Sequence, residues 1–164
     1  MQGMTEAVLD AVRFEGSAEQ AGPTDLAMLA ETVGADLEAM GHDVAFTPSP
    51  PMVCICRTPE IRRALRNIVD NAVRYGTRAR LTIENDASTA HIHVDDDGEG
   101  IPDDQLARVF EPFVRLEESR NRDTGGYGLG LSIARMIARG HGGDVCLSNL
   151  SKGGLRATLS LPLA

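Results

Sequence analysis

Between Thr58 and Gly76 the residues Ile61, Ala64, Leu65, Ile68, Val69, Ala72 and Val73 follow a near-perfect i, i+3, i+4, i+7 spacing. Such a stripe is the buried face of one long helix, and a helix with a single apolar face needs a second layer to cover it. Further along, the period changes from helical to alternating. Leu81 and Ile83 alternate with polar neighbours, as do Ile92 and Val94, on either side of Asn85 and Asp86; near the end Leu155, Ala157, Leu159 and Leu161 share one face. These are half-buried strands. The expectation is an α+β fold, a two-layer α/β sandwich in which helices lie on one face of a mixed, mostly antiparallel sheet.

The other segments fit that frame. Thr24 or Asp25 is placed to cap a helix with the stripe Leu26, Leu29, Val33 and Leu37, closed by Gly41. Val44–Phe46 and Val53–Cys56 read as short strands around Pro48, Pro50 and Pro51. Thr58 reads as the N-cap of the long helix, with Pro59 at its first position. A further helix opens near Gly128 and ends at Gly140, followed by a strand from Val145 to Ser148. Upstream, Met4 to Phe14 carries Val8, Leu9 and Val12 at helical spacing and stops in a small, polar run. Residues 1–23 therefore read as the tail of an upstream helix plus linker, and residues 24–164 as the domain.

Composition narrows the function classes. At 164 residues with 42% apolar content, the chain can bury one real core. A net charge of −8 argues against nucleic acid and against direct contact with an anionic membrane. No tryptophan and 4% aromatics disfavour base-stacking platforms. No apolar run of about 18 residues is long enough to span a bilayer, and no positive-then-apolar leader is seen. Cys54, Cys56 and Cys146 are an odd set with no ligand spacing, and read as reduced, buried thiols in a cytoplasmic compartment.

Three polar motifs then occur in a fixed order. On the long helix, Asn67, Asn71 and Arg74 fall within about 60° of one another, opposite the apolar stripe. Asparagine is poor in a helix interior on propensity alone. An amide oxygen there can complete the coordination of Mg²⁺, with Arg74 reaching phosphates and Tyr75 near base or ribose; the plain alternative is a solvated polar face. Next, Asp96 enters the D-x-G-x-G loop Asp96-Asp97-Gly98-Glu99-Gly100, followed by Ile101. A carboxylate there can accept the exocyclic amine of adenine, and Gly98 and Gly100 let backbone approach a purine without a Cβ clash; an ordinary acidic turn is the alternative. Last, Gly126-Tyr127-Gly128-Leu129-Gly130 precedes the apolar run Leu131, Ile133, Ala134 and Ile137. Free N–H groups at such a helix start favour an anion. The loop comes too late for a dinucleotide fold, and there is no P-loop string.

In this order the motifs resemble those of the catalytic, ATP-binding domain of bacterial sensor histidine kinases, in the GHKL superfamily with type II topoisomerases, Hsp90 chaperones and MutL. The likeness covers about residues 24–162. Asn67 and Asn71 match the N box, Asp96 to Gly100 the G1 box, Phe110-Glu111-Pro112-Phe113 the F box, and Gly126 to Gly130 the G2 box. Gly153-Gly154 resembles the final glycine motif, and Arg66 to Gly76 is similar to kinases of the osmosensor EnvZ type. The resemblance implies a Bergerat fold, ATP and Mg²⁺ as cofactors, Asn71 as metal ligand with Asn67 nearby, and Asp96 on adenine.

It further implies that residues 1–23 are the tail of an upstream dimerisation helix plus linker, and that about residues 101–125 form an ATP lid. Phe110 and Phe113 would anchor it, and Arg115, Arg120 or Arg122 would swing toward phosphate; their plain alternative is a solvated loop. Tyr127 departs from the small hydroxyl residue usual there. Asn67 stands where hydrolytic members carry a glutamate base, and an amide cannot take that proton, so transfer is favoured over hydrolysis. None of His42, His91, His93 and His141 sits in a phosphoacceptor box. The expected partners are ATP and ADP, the phosphoacceptor histidine domain of the same kinase and, indirectly, a response regulator. The chain reads as the cytoplasmic portion of a membrane-anchored kinase. A serine kinase of the anti-sigma-factor type and a non-enzymatic nucleotide-binding or docking module stay open beside this reading.

Overall fold

The structure, a computed structural model, describes residues 20–111 and 129–164. Strand β1 (Gly22–Asp25) leads into helix α1 (Leu26–Ala39), and β2 (Asp43–Phe46) and β3 (Val53–Cys56) follow. Helix α2 spans Thr58–Gly76, β4 Arg78–Asn85 and β5 Thr89–Asp96. After two single 3₁₀ turns at Asp103–Gln105 and Arg108–Phe110 come α3 (Gly130–Gly140), β6 (Asp144–Asn149) and β7 (Leu155–Pro162). Five strands form the main sheet in the order β2-β4-β5-β7-β6, parallel at β2–β4 and antiparallel elsewhere. β1 and β3 make a separate antiparallel ribbon. The α+β sandwich expected from the two periodicities is the observed fold.

Local chemistry sets the boundaries. Asp25 caps α1 by accepting from the Ala27 N–H at 3.0 Å, and the same oxygen takes the Met52 N–H at 3.1 Å, which ties the helix start to β3. Gly41, at φ +95°, turns the chain out of α1 into β2. The hairpin turn between β4 and β5 is built by Asp86, whose Oδ1 accepts from the N–H groups of Ser88 and Thr89, each at 2.9 Å.

Two expectations are corrected here. Arg57, not Thr58, is the N-cap of α2, which moves Pro59 one place further in; the Thr58 hydroxyl instead bonds the Thr24 hydroxyl of β1. Cys146 is exposed, because in β6 its neighbour Val145 takes the inward side of the pleat. Cys54 and Cys56 are buried and free as expected, and burial, then the neighbouring Cys56, pushes the Cys54 thiol up to about 11.

Between the layers, Ile61, Leu65, Ile68 and Val69 of α2 meet Leu81, Ile92, Val94, Leu159 and Leu161 of the sheet, all essentially inaccessible to water. The opposite sheet face is polar. There His91 bonds Ser160 and Asp86, His93 bonds Thr158 and Glu84, and Arg156 grips both oxygens of Asp95 at 2.7 and 2.8 Å. No group of metal-ligating side chains large enough to hold an ion occurs among the described residues, and none of their helices is long and apolar enough to cross a membrane.

A buried polar latch joins the helices at the end remote from the glycine loops. His141, the C-cap of α3, donates from Nδ1 to the Ile137 carbonyl at 2.8 Å and accepts the Arg57 N–H at Nε2, 3.2 Å away. Beside it, the Arg57 guanidinium contacts the buried Glu60 carboxylate at 2.9 Å. Replacing His141 strands a buried donor and acceptor, so His141→Ala is expected to lower unfolding free energy by about 2 kcal/mol. Urea denaturation measures it, and an unchanged midpoint would show the latch to be inconsequential.

Candidate functional site

Strand β5 places its last residue by alternation alone. Ala90, Ile92 and Val94 point inward, and the same period turns Asp96 inward, where it is only 4% exposed at the edge of the core. A carboxylate so placed needs partners. Its Oδ1 accepts from the Gly98 N–H at 2.9 Å and from the Leu155 N–H of β7 at 3.0 Å. Oδ2 accepts no hydrogen bond among the described residues. Burial pushes the Asp96 carboxyl above its usual value, against the pull of the two N–H groups, and the flanking Asp97 and Asp95 push it the same way.

Backbone closes tightly around this side chain. A Cβ on Gly76, the last residue of α2, would lie 2.3 Å from the Asp96 Cβ, and one on Gly98 would lie 2.8 Å from the Tyr75 carbonyl oxygen. Gly100 has φ +76°. Thus the end of α2, with Tyr75, and the loop after β5 share one corner of the fold. The half-exposed Tyr75 ring is available beside it.

Asn67 and Asn71 lie one turn apart on α2, both half-buried. Asn67 Nδ2 donates to the Gly130 carbonyl at 3.3 Å, which sets the asparagine face against the start of α3. Asn71 has no hydrogen-bond partner among the described residues. Arg74 is exposed and paired within its own helix to Asp70 at 3.2 Å, a surface pair that contributes little to stability. Leu129 is buried and caps α3, whose first residue is Gly130.

Phe110 is half-buried against the core, with the Arg135 guanidinium of α3 4.3 Å above its ring. It anchors the described residues between Ile101 and Phe110 to the helix layer. Ile101 is held by Asn149 of β6. The structure therefore brings Asn67, Asn71, Leu129 and Gly130 to one side, and Tyr75, Asp96, Gly98, Gly100 and Ile101 to another. Arg115, Gly126, Tyr127 and Gly128, with Phe113, Arg120 and Arg122, lie outside the described residues. Gly76, Asn149 and Leu155 escape sequence reasoning, because their part is set by distant backbone; Gly154 was marked in the sequence only as one of the paired glycines Gly153 and Gly154.

A helix face of amides thus lies against a helix start, and a buried acceptor is walled by glycines, in an α/β sandwich. Solved structures share this fold. The chain matches the ATP-binding domain of PrrB from Mycobacterium tuberculosis at TM-score 0.74 and 29% identity, over 89% of this chain and 99% of that one. It matches the histidine kinase domain of the Escherichia coli osmosensor EnvZ at TM-score 0.65 and 30% identity, over 91% and 92%. Among curated proteins, the sensor histidine kinase GtrS of Pseudomonas aeruginosa is 43% identical over 126 residues, 77% of this chain and 24% of that protein. The sensor histidine kinase CpxA of Escherichia coli K12 is 36% identical, over 78% of this chain and 28% of that protein. Residues 56–164 match the family described as histidine kinase-, DNA gyrase B- and HSP90-like ATPase, and the chain belongs to that family. It spans about a quarter of the length of these curated relatives.

Proposed function

We propose that this chain binds Mg²⁺-ATP between α2, α3 and the loop after β5, and presents the γ-phosphate to a histidine on a separate dimerisation and phosphoacceptor domain. One observation carries the nucleotide assignment: Asp96 is buried, with one oxygen held by two backbone N–H groups and the other without a donor among the described residues. That free oxygen is an acceptor for the exocyclic amine of adenine. The glycine backbone at Gly98 and Gly100 accepts the flat purine, and Tyr75 covers base or ribose.

At the phosphate end, the start of α3 offers N–H groups and the positive end of its dipole. Asn71 fits a magnesium site as a single hard oxygen donor without a competing partner among the described residues, because Mg²⁺ keeps waters and takes most other ligands from phosphate. When bound, the ion neutralises phosphate charge. Asn67 orients the start of α3 through its bond to Gly130, and as an amide it holds no proton-accepting group for water. Arg74 is a candidate for phosphate contact once it leaves Asp70. The chain's own contribution is positioning and charge complementarity. The acceptor histidine, a response regulator further on and attachment to a membrane belong to the longer protein proposed around this domain.

Calorimetric titration with ATP and ADP, with and without Mg²⁺, followed by incubation with a histidine kinase hairpin, tests the reading. Micromolar, Mg²⁺-sensitive binding and acid-labile phosphate on the hairpin are expected. An acid-stable product would transfer the reading to a hydroxyl-phosphorylating kinase, and absence of binding would reduce the chain to a docking module. Asn71→Ala should remove the Mg²⁺ dependence of affinity while ADP without metal still binds. If the variant keeps full Mg²⁺ sensitivity, the ligand lies elsewhere. Because burial raises the Asp96 pKa from its ordinary value and the group must be charged to accept well, affinity should fall as pH drops through the raised pKa.

A further inference from the structure

The turn joining β6 to β7 grips the loop after β5 at two places. At one end is Leu155, whose N–H holds Asp96 Oδ1. At the other is Asn149, the last residue of β6. Its Oδ1 accepts the Ile101 N–H at 2.9 Å, while its Nδ2 donates to the Ile101 carbonyl at 2.6 Å and to Asp103 Oδ1 at 3.0 Å. One primary amide thus satisfies both backbone groups of a single residue, as a neighbouring strand would. A carboxylate has no donor for the carbonyl, and a hydroxyl is too short to span both groups. Gly100 is fitted to the same contact, because a Cβ there would lie 2.5 Å from Asn149 Oδ1. Gly98 and Gly100 lie between the two grips.

We infer that Asn149 is a positioning residue of the nucleotide site: its paired hydrogen bonds to Ile101 and its bond to Asp103 hold the loop 97–103 in the conformation that leaves Asp96 open to a purine. This rests on the proposed role of Asp96 at adenine. Asn149 is exposed and acts through the loop, at the base end of the nucleotide. Its loss therefore weakens ATP and ADP alike, independently of Mg²⁺, and takes little from global stability because the bonds face water.

The test is titration calorimetry and thermal melting on this chain carrying Asn149→Ala, N149D and N149D/D103N, beside the parent and Asp96→Asn. Asn149→Ala should lower affinity for ATP and for ADP by the same factor, about tenfold, with a Tm shift below about 4 °C. N149D keeps the acceptor for the Ile101 N–H but faces Asp103 with a second carboxylate, and should lose at least as much. N149D/D103N returns a donor to that pair and should recover part of the loss, which general loosening of the turn would not predict. Parental affinity in Asn149→Ala, a loss confined to ATP, or a loss with a Tm drop above about 8 °C would each overturn the positioning role. Should the parent bind nucleotide and Asp96→Asn fail to, such a result strikes this inference alone. A parent that binds nothing, or an Asp96→Asn variant that binds normally, removes the adenine assignment and this inference with it.

Discussion

Asp96→Asn is expected to reduce ATP and ADP affinity at least about a hundredfold, close to 3 kcal/mol, while leaving the fold intact. The asymmetry follows from the two oxygens. Oδ1 faces two backbone N–H groups, and Oδ2, which accepts no hydrogen bond among the described residues, is the oxygen proposed to receive the adenine amine. An asparagine that keeps its carbonyl on the N–H groups turns an NH₂ toward the adenine amine, donor against donor. Flipped, it serves adenine but sets the same NH₂ against Gly98 and Leu155. Neither orientation satisfies both sides, and buried polar mismatches are costly. Folding responds differently. Burial raises the Asp96 pKa, so the folded state binds its proton more tightly than the unfolded chain does. Stability from this group is therefore greatest at low pH and declines as pH rises from the unfolded to the folded value, leaving a net penalty at neutrality. Removing the charge should hold or slightly raise Tm at pH 7. Calorimetric titration beside a melting curve checks both parts; an Asp96→Asn chain with parental affinity would place the base elsewhere.

The parts of the fold that were legible in advance are those fixed by local periodicity. Helix α2 has seven stripe positions at one spacing, and β5 alternates without a break from Ala90 to Asp96. The same alternation aims Asp96 inward, so its burial follows from the pattern that makes the strand. Asn67 and Asn71 were equally readable, because a helix fixes which residues share a face.

Other features depend on partners far away in sequence. Gly22 and Pro23 look like linker by composition, yet they pair with Cys56 and Ile55 to make β1, a strand only because β3 is there. Thr58 is a good cap residue by type, but β1 brings Thr24 to its hydroxyl and the cap moves to Arg57. Asn149 looks like any turn asparagine. Its bonds to Ile101 cross 48 positions of sequence, and no local rule points to them.

Gly154→Ala should be among the most damaging single substitutions in the domain, and Gly153→Ala its built-in control. The two glycines have nearly the same backbone, φ +97° and +95°, so an alanine pays the same conformational cost at either, about 1–2 kcal/mol. Their surroundings differ. A Cβ on Gly153 meets nothing within 4 Å, whereas one on Gly154 would lie 2.0 Å from the Asp96 carbonyl oxygen. Contact that close is relieved only by parting the start of β7 from the end of β5, which breaks the Leu155 N–H bond to Asp96 and disturbs the Gly154 carbonyl that accepts from Leu150. The total should reach about 4 kcal/mol or more, the range reserved for severe core lesions. Gly153→Ala is expected to lower Tm by about 2–8 °C with nucleotide affinity kept. Gly154→Ala should lower it by more than about 10 °C and abolish nucleotide binding in whatever fraction still folds, since Asp96 has lost its support. Equal melting temperatures for the two variants would mean that the backbone at Gly154 has room the structure denies it, and that the wall behind Asp96 is softer than its geometry.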